Sequence, residues 1–143
     1  MINKKIKGAT AKSFNGIDFK SQLEVIIYKT LLQEGFKVEY ENMKFVIWEG
    51  FRPTIPFYDM DKKTRLLKSN MSKLIDITYT PDFTFIYKKH LIIIEAKGYE
   101  NDTFPIKKKM FRKIIESYNM PIIYFQIYTK KQLMQAIDVI KKL

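Results

Sequence analysis

Three residues of types that can do chemistry, Asp82, Glu95 and Lys97, lie in a segment with strand character. Residues 80–98 alternate aromatic with other side chains and then enter a β-branched run, which predicts a β-hairpin whose second strand is buried on both faces. If the loop within residues 87–90 has two or four residues, Asp82 faces Glu95 directly and Lys97 projects from the same face of the sheet. A loop of three or five residues would turn Asp82 to the other face.

Two carboxylates that face each other across a hairpin repel unless a cation lies between them. An exposed hairpin in which Lys97 neutralises Glu95 is the alternative, but the flanking strands are too apolar for a solvated hairpin. We therefore predict a divalent metal site. The chain has no cysteine and a single histidine, so the ligands would be hard oxygens, which select Mg²⁺ or Mn²⁺ rather than Zn²⁺.

The composition predicts one intracellular domain with a polyanionic partner. Of 143 residues, 26 are Lys or Arg and 15 are Asp or Glu, which gives a net charge of +11. This excess favours nucleic acid as the partner, ahead of an anionic membrane surface, for which no helix offers a broad Trp/Leu face. No apolar run is long enough to cross a membrane, and no apolar stretch of a secretory signal follows the Lys-rich start. We expect a cytoplasmic protein.

Residues 21–34 predict the first helix, with Ser21 as its N-cap, Glu24 three positions on and Gly35 as its stop. Its expected apolar stripe is Leu23, Ile26, Ile27 and Leu31. Glu24 has two interpretations that spacing alone leaves open. It is either a structural capping-box residue, or a carboxylate that faces the sheet and joins the predicted metal site.

The middle of the chain predicts strands interrupted by an irregular segment. Residues 36–41 alternate apolar and charged side chains, as in a strand with one wet face, and residues 43–48 continue extended. Residues 49–78 contain Pro53 and Pro56 and many basic residues. We expect an insertion that contacts substrate or a partner, with a long decorated hairpin as the alternative.

The last third predicts helix, strand and helix. Asp102 or Thr103 would cap the second helix, with Pro105 near its start. Its expected apolar positions are Ile106, Met110, Phe111, Ile114, Ile115 and Tyr118. Residues 122–128 predict a buried strand, and residues 129–132 a second capping box. The last helix has its apolar positions at Leu133, Ala136, Ile137 and Ile140.

Basic residues in three places are candidates for contact with DNA phosphates. We expect residues 1–17 to form a flexible basic arm and residues 18–143 the folded domain. The alternatives are a solvated tail and an ordinary solvated helix face. The candidates are Lys4, Lys5, Lys7, Lys12, Lys20, Lys107, Lys108, Lys109, Arg112 and Lys113.

Pro81-Asp82, a hairpin and Glu95-Ala96-Lys97 together resemble the signature of the PD-(D/E)xK nuclease superfamily. The order of predicted elements, helix, three strands, helix and strand, agrees with the common core of that superfamily. The resemblance implies an α/β, restriction-endonuclease-like core (α-β-β-β-α-β) with a mixed sheet flanked by helices. Here a C-terminal helix follows that core and an insertion interrupts it at about residues 49–78.

Within that superfamily, the segments at residues 19–24, 35–41, 79–83 and 95–98 resemble the phage endonuclease I family of Holliday-junction resolvases, and a group of small phage nucleases. The similarity covers roughly residues 18–118. Residues 42–78 are longer than the family's bridging strand, which swaps between the subunits of a dimer, and the hairpin is a few residues longer.

The resemblance implies the chemistry of these residues. Glu24, Asp82, Glu95 and Lys97 would be catalytic. Glu24, Asp82, Glu95 and the carbonyl of Ala96 would hold Mg²⁺, for which Mn²⁺ would substitute. The expected activity is cleavage of branched DNA by a homodimer, in the host cytoplasm if a phage encodes it. A duplex or nicking endonuclease of the same fold and a catalytically silent DNA-binding module are the alternatives.

Overall fold

A four-stranded mixed sheet forms the centre of the computed structural model, which describes residues 12–143. Three helices and three antiparallel strand pairs accompany it in that part of the chain. In chain order the elements are β1 (Lys12–Phe14), β2 (Ile17–Phe19), α1 (Gln22–Gln33), β3 (Glu39–Tyr40), β4 (Phe45–Trp48), β5 (Tyr58–Met60), β6 (Leu67–Ser69), β7 (Ile77–Tyr79), β8 (Phe83–Tyr87), β9 (His90–Ala96), α2 (Phe104–Ile115), β10 (Ile122–Ile127) and α3 (Lys130–Lys141).

The strand order in the central sheet is β10-β9-β8-β3. Strands β3, β8 and β9 are antiparallel neighbours, whereas β10 runs parallel to β9. A parallel neighbour requires a crossover connection, and α2 lies in that connection. The predicted α/β class, with a mixed sheet and helices, is confirmed.

Side chains of β9 alternate between two apolar cores. Ile92 and Ile94 belong to the core that includes residues of α1 and α3, whereas Leu91 and Ile93 belong to the core that includes residues of α2. The run from Leu91 to Ile94 is buried throughout. The prediction of a strand buried on both faces is therefore confirmed, and the helices flank the sheet on both sides.

The β8–β9 hairpin has the predicted register. Its pairs run from Tyr87↔His90 to Phe83↔Ile94. Only Lys88 and Lys89 lie in the loop, with φ angles of 43° and 70°. Two left-handed residues in a two-residue loop give the turn whose twist matches that of the flanking strands.

Helix α1 begins as predicted, because the Ser21 hydroxyl accepts a hydrogen bond from the Glu24 amide at 3.2 Å. Gly35 follows its end with a φ of 87°, a conformation that favours glycine. The predicted stripe was partly wrong. Leu23 and Ile26 are only half-buried, while Glu24, Val25, Ile27, Tyr28 and Leu31 are buried.

Helix α2 begins at Phe104 with Thr103 at the N-cap position, as predicted, but the Thr103 side chain makes no capping bond and Asn101 supplies the acceptor instead. The Asn101 Oδ1 accepts hydrogen bonds from the amides of Thr103 at 3.2 Å and Phe104 at 2.9 Å. Phe104 and Phe111 are the buried residues of the helix. The prediction that Ile106 belongs to the apolar stripe is wrong, since this side chain is exposed.

Strand β10 is half-buried rather than buried, apart from Ile127. It is an edge strand of the sheet, so one side has no neighbouring strand to cover it. The second capping box is confirmed, because Thr129 Oγ1 accepts from the Gln132 amide and Gln132 Oε1 accepts from the Tyr128 amide. The predicted apolar positions of α3 are all buried.

Strand β3 is shorter than the predicted strand over residues 36–41. Only Glu39 and Tyr40 pair with β8, and the strand ends at Glu41, whose φ of 47° is incompatible with extended backbone. The predicted alternation still holds, because Phe36 and Val38 are buried and Lys37 and Glu39 are exposed.

Residues 45–79 form a long two-stranded excursion, called the ribbon below. Strand β4 pairs with β7, Phe51 bridges Leu74, and β5 pairs with β6 near the tip. Gly50 is required where the two sides meet, because a Cβ there would lie 2.0 Å from the Leu74 carbonyl oxygen. The ribbon agrees with the alternative of a long decorated hairpin.

Residues 12–17 are not a flexible arm, which corrects that part of the prediction for residues 1–17. Strand β1 pairs with β2 in antiparallel register around a turn at Asn15 and Gly16. Lys4, Lys5 and Lys7 lie outside the described residues. No helix among residues 12–143 is long and apolar enough to cross a membrane.

Candidate functional site

Asp82 stands at the open end of the β8–β9 hairpin, one step beyond the Phe83↔Ile94 pair. Continuing the register by one residue places Asp82 opposite Glu95. Asp82 Oδ2 accepts a hydrogen bond of 2.7 Å from the Ala96 amide, and its backbone carbonyl accepts one of 2.8 Å from the Glu41 amide. These two bonds fix the residue between β9 and β3 and leave Oδ1 able to bind another ligand.

Glu24 faces this same place from the first turn of α1. Its Oε2 accepts a hydrogen bond of 2.7 Å from the Tyr40 hydroxyl and one of 3.2 Å from the Lys20 amide. Glu24 therefore accepts from an amide beside the start of the helix, as a capping residue does, and its carboxylate also faces the sheet. Glu24, Asp82 and Glu95 are 6%, 9% and 5% exposed.

Lys97 provides the nearest positive charge. Its Nζ lies 2.9 Å from Glu95 Oε1 and 3.8 Å from the centre of the Phe104 ring, so the ammonium contacts a carboxylate and an aromatic face. The Lys97 side chain is 16% exposed. Lys97 thus neutralises part of the charge of Glu95, and Lys20 also interacts electrostatically with Asp82 and Glu24.

The site carries more negative potential than Lys97 neutralises. Burial, followed by the charges of Glu95 and Glu24, raises the pKa of Asp82 to about 8, against the opposing effects of the Ala96 amide and Lys97. Without a further cation, these surroundings therefore favour the protonated form of Asp82. A bound cation would stabilise these carboxylates electrostatically and would favour the charged form of Asp82.

Two tyrosines that the sequence analysis did not single out contact the carboxylates. The Tyr79 hydroxyl donates to Glu95 Oε2 at 2.6 Å and lies 3.0 Å from the Tyr124 hydroxyl. The Tyr40 hydroxyl donates to Glu24 at 2.7 Å. In the sequence both residues occupy ordinary strand positions, and no local signal separates them from tyrosines of the core.

The carboxylates of the site are not arranged as a complete set of metal ligands. Within residues 12–143, no three His, Cys, Asp or Glu side chains are grouped as a metal site. Lys97 and Tyr79 contact the two oxygens of Glu95, and Tyr40 contacts one oxygen of Glu24. The donor chemistry nevertheless fits Mg²⁺, because three buried carboxylates supply hard oxygens and the Ala96 backbone lies beside Asp82.

The basic residues predicted to contact DNA fall into two groups. Lys20 is 2.5 Å from Glu41 Oε1, Lys107 Nζ donates to the Thr78 carbonyl and Lys108 Nζ donates to Gln126 Oε1. These three are engaged with the protein, although Lys20 remains largely exposed. The other described candidates are exposed: they are Lys12 in β1 and Lys109, Arg112 and Lys113 in α2.

No protein-family model, curated protein or solved structure matches this chain.

Proposed function

We propose that this protein is a metal-dependent endodeoxyribonuclease that hydrolyses phosphodiesters of branched DNA. The observation that carries the proposal is a set of three buried carboxylates, Glu24, Asp82 and Glu95, in which the charges of the two glutamates raise the pKa of Asp82, while Lys97 contacts Glu95. Isolated buried carboxylates are costly, and a cluster of them with a strongly raised pKa is typical of functional sites.

The topology supports the same proposal. Read in chain order, α1, β3, β8, β9, α2 and β10 follow the helix, three-strand, helix and strand order of a restriction-endonuclease-like core, with α3 after it. The ribbon is inserted between the first and second of those strands. Asp82 and Glu95 then stand at one end of the central hairpin, as the signature Pro81-Asp82…Glu95-Ala96-Lys97 requires.

The proposed roles follow from the contacts of each side chain. Glu24, Asp82, Glu95 and the Ala96 carbonyl would hold Mg²⁺ or Mn²⁺, which supplies charge stabilisation at the scissile phosphate and a water of lowered pKa. The Ala96 amide orients Asp82 through Oδ2. Lys97, held by Glu95 and Phe104, would orient the attacking water or neutralise charge that develops on the phosphate.

DNA binding is supported by the charge of the chain and its exposed basic side chains. The net charge of +11 favours a polyanion, and Lys109, Arg112 and Lys113 are exposed on the helix that packs beside Tyr79 and Phe45. Contacts to phosphates fix the position of a protein on DNA without reading its sequence. We therefore expect strongly salt-dependent binding with little sequence preference.

A homodimer is the proposed assembly, and the ribbon is the surface proposed to form it. Large apolar side chains are exposed along the whole ribbon. They are Val46, Trp48, Phe51, Ile55, Phe57, Tyr58, Met60, Leu66, Leu67, Met71, Leu74, Ile75 and Ile77. A two-stranded ribbon is marginally stable alone in water, and contiguous apolar surface marks a protein interface.

A second copy of the chain suits this surface. The ribbon carries both signs of charge, such as Lys68 with Asp59 and Asp61, and a surface of mixed sign can pair with itself across a two-fold axis. Paired cuts in a four-way junction also need two active sites in one assembly. Both arguments favour a second copy over a single strand of DNA as the occupant.

Cleavage of a labelled four-way junction and of a linear duplex of the same sequence, with Mg²⁺, tests the proposed substrate. Symmetric cuts in the junction alone support the resolvase-like activity. Equal cutting of both substrates would support a nuclease activity and contradict a preference for branched DNA. Binding of both without cutting, in Mg²⁺ and in Mn²⁺, would instead identify a catalytically silent DNA-binding protein.

A further inference from the structure

Each of the two glutamates of the candidate site accepts a hydrogen bond from a tyrosine, and the two tyrosines belong to different strands. The Tyr40 hydroxyl, in β3, donates to Glu24 Oε2 at 2.7 Å, and the Tyr79 hydroxyl, in β7, donates to Glu95 Oε2 at 2.6 Å. Asp82, the third carboxylate, is held by a backbone amide instead. Every carboxylate therefore has one oxygen fixed by a donor of the protein.

Tyr79 is itself firmly held. It is buried, and its ring lies 4.7 Å from the ring of Phe111 and 6.2 Å from that of Phe104, both in α2. Its hydroxyl also contacts the Tyr124 hydroxyl at 3.0 Å, so a second group fixes the direction of the O–H bond. Packing and hydrogen bonding together leave Tyr79 little freedom.

Tyr40 is held by aromatic rings on the other side of the sheet. Its ring lies 4.7 Å from the ring of Phe19 and 5.4 Å from that of Phe83. Phe83 directly follows Asp82 in the chain. The same aromatic cluster thus supports the donor to Glu24 and the start of the strand that carries the central carboxylate.

Both hydroxyls act as donors at neutral pH. A phenol is protonated at this pH, and in each pair the acceptor is a carboxylate oxygen, so the hydroxyl is the donor. Each hydroxyl thus fixes one oxygen of its glutamate; Glu24 Oε2 also accepts from the Lys20 amide, and Glu95 Oε1 contacts Lys97. The side-chain torsions of a glutamate held in this way are restricted before a cation arrives.

We propose that Tyr40 and Tyr79 are positioning residues, which hold Glu24 and Glu95 in the orientation that binds a divalent cation together with Asp82. This inference rests on the proposed function, since it assigns the groups that prepare its metal site. Groups that orient metal ligands through hydrogen bonds commonly change metal affinity when they are removed.

Tyr79 gives the ribbon a direct connection to the site. It is the last residue of β7, so the base of the ribbon and the donor to Glu95 are the same residue. Tyr40 belongs to the central sheet and has no such connection. The two tyrosines therefore provide two independent tests of one proposal, in different structural settings.

The test is a calorimetric titration of the full chain with Mn²⁺, without DNA, for the wild type, Tyr40→Phe and Tyr79→Phe. Tyr28→Phe is the matched control, because Tyr28 is also buried and packs near Phe83, but its hydroxyl contacts Asn15 rather than a carboxylate. We expect the dissociation constant for Mn²⁺ to rise about 10–100-fold in Tyr40→Phe and Tyr79→Phe. Tyr28→Phe should bind as the wild type does.

A second measurement separates positioning from a general loss of structure. Thermal unfolding in a chelator reports folding, and cleavage rates measured against Mn²⁺ concentration report the metal requirement. A positioning role predicts that both variants need more Mn²⁺ but approach the wild-type rate at saturation. If Tyr79→Phe does not fold, Tyr40→Phe decides the question, because Tyr40 is only half-buried.

The outcomes that overturn the proposal are distinct from those that overturn the proposed function. Wild-type affinity for Mn²⁺ in both folded variants would overturn the positioning role of the tyrosines without contradicting the proposed nuclease activity. A rate that stays low at saturating Mn²⁺ would likewise overturn it, since the defect would not lie in metal binding. A wild type that binds no Mn²⁺ would overturn both.

Discussion

The ammonium of Lys97 lies 2.9 Å from Oε1 of Glu95, and this pair is largely shielded from solvent. Removing one member of such a pair leaves the other charge buried without a partner, which is more destabilising than losing an exposed ion pair. The contact therefore links the stability of the free protein to the residue proposed to act on the phosphate.

Lys97→Met should lower the free energy of unfolding by about 3 kcal/mol in the absence of divalent cations, the lower end of the range for a broken buried pair. Mn²⁺ should restore part of that loss, because a cation can replace the missing ammonium beside Glu95. Urea unfolding with and without Mn²⁺ measures both effects. Lys109→Met, at an exposed position, is the control, and equal stability of the two variants would contradict the prediction.

Asp82 predicts a pH dependence of stability in a chelator. Its pKa in the folded protein is about 8, above the ordinary value of 3.8, so folding favours the protonated form. The stabilisation from this proton is complete below about pH 4 and is lost as pH rises through 8. Wild-type unfolding temperature should therefore fall between pH 6 and 9 relative to that of Asp82→Asn, which keeps an oxygen for the Ala96 amide.

One result would contradict the prediction that Asp82 titrates in this range. If the difference between wild type and Asp82→Asn does not change with pH, Asp82 is not the titrating group. Repeating the series with Mn²⁺ should reduce the difference, because a bound cation favours the charged carboxylate.

Charged substitutions on the ribbon should dissociate the proposed homodimer. Phe57→Asp and Leu67→Asp are suitable, because these side chains are 56% and 76% exposed and a folded monomer would tolerate them. Sedimentation velocity at micromolar concentration should change from dimer to monomer. Ile106→Asp is the control, since Ile106 is also exposed but lies on α2. A wild type that is already monomeric would refute the ribbon as a dimer interface.

Exposed cations of α2 should contribute to DNA affinity without changing specificity. Lys113→Gln should weaken duplex binding at low salt and reduce the slope of log K against log salt concentration by about 1. Fluorescence anisotropy across a salt series measures the slope. Lys131→Gln, an exposed position on α3, should leave it unchanged. If both variants behave alike, α2 has no special role in contacting DNA.

The hairpin was predictable because its register depends on local chemistry. A two-residue loop at Lys88 and Lys89 aligns Asp82 with Glu95, and the apolar run in β9 allows only a buried strand. The capping roles of Ser21 and Thr129 were also predictable, because their side chains accept hydrogen bonds from amides only three residues away. Glu24 remained ambiguous because the same spacing serves a cap and a buried carboxylate.

What the sequence did not reveal depends on contacts between distant elements. Tyr40 lies 16 residues from Glu24, and Tyr79 lies 16 residues from Glu95, so no periodicity links them. The sequence predicts that Lys107 and Lys108 contact DNA phosphates, but in the fold their ammonium groups donate to the Thr78 carbonyl and to Gln126, which lie on distant strands. β10 was read as buried because its residues are apolar, although its position at the sheet edge leaves most of them half-buried.

Cleavage of DNA by the wild type, Asp82→Asn and Glu95→Gln, in Mg²⁺, tests the central claim most directly. Glu39→Gln is the matched control, because Glu39 is an exposed acid on β3. We expect the wild type and Glu39→Gln to cut at similar rates, while the other two variants bind DNA but cut more than about 100-fold more slowly. Undiminished cutting by Asp82→Asn and Glu95→Gln, or no cutting by a wild type that binds DNA in Mg²⁺ and Mn²⁺, would contradict it.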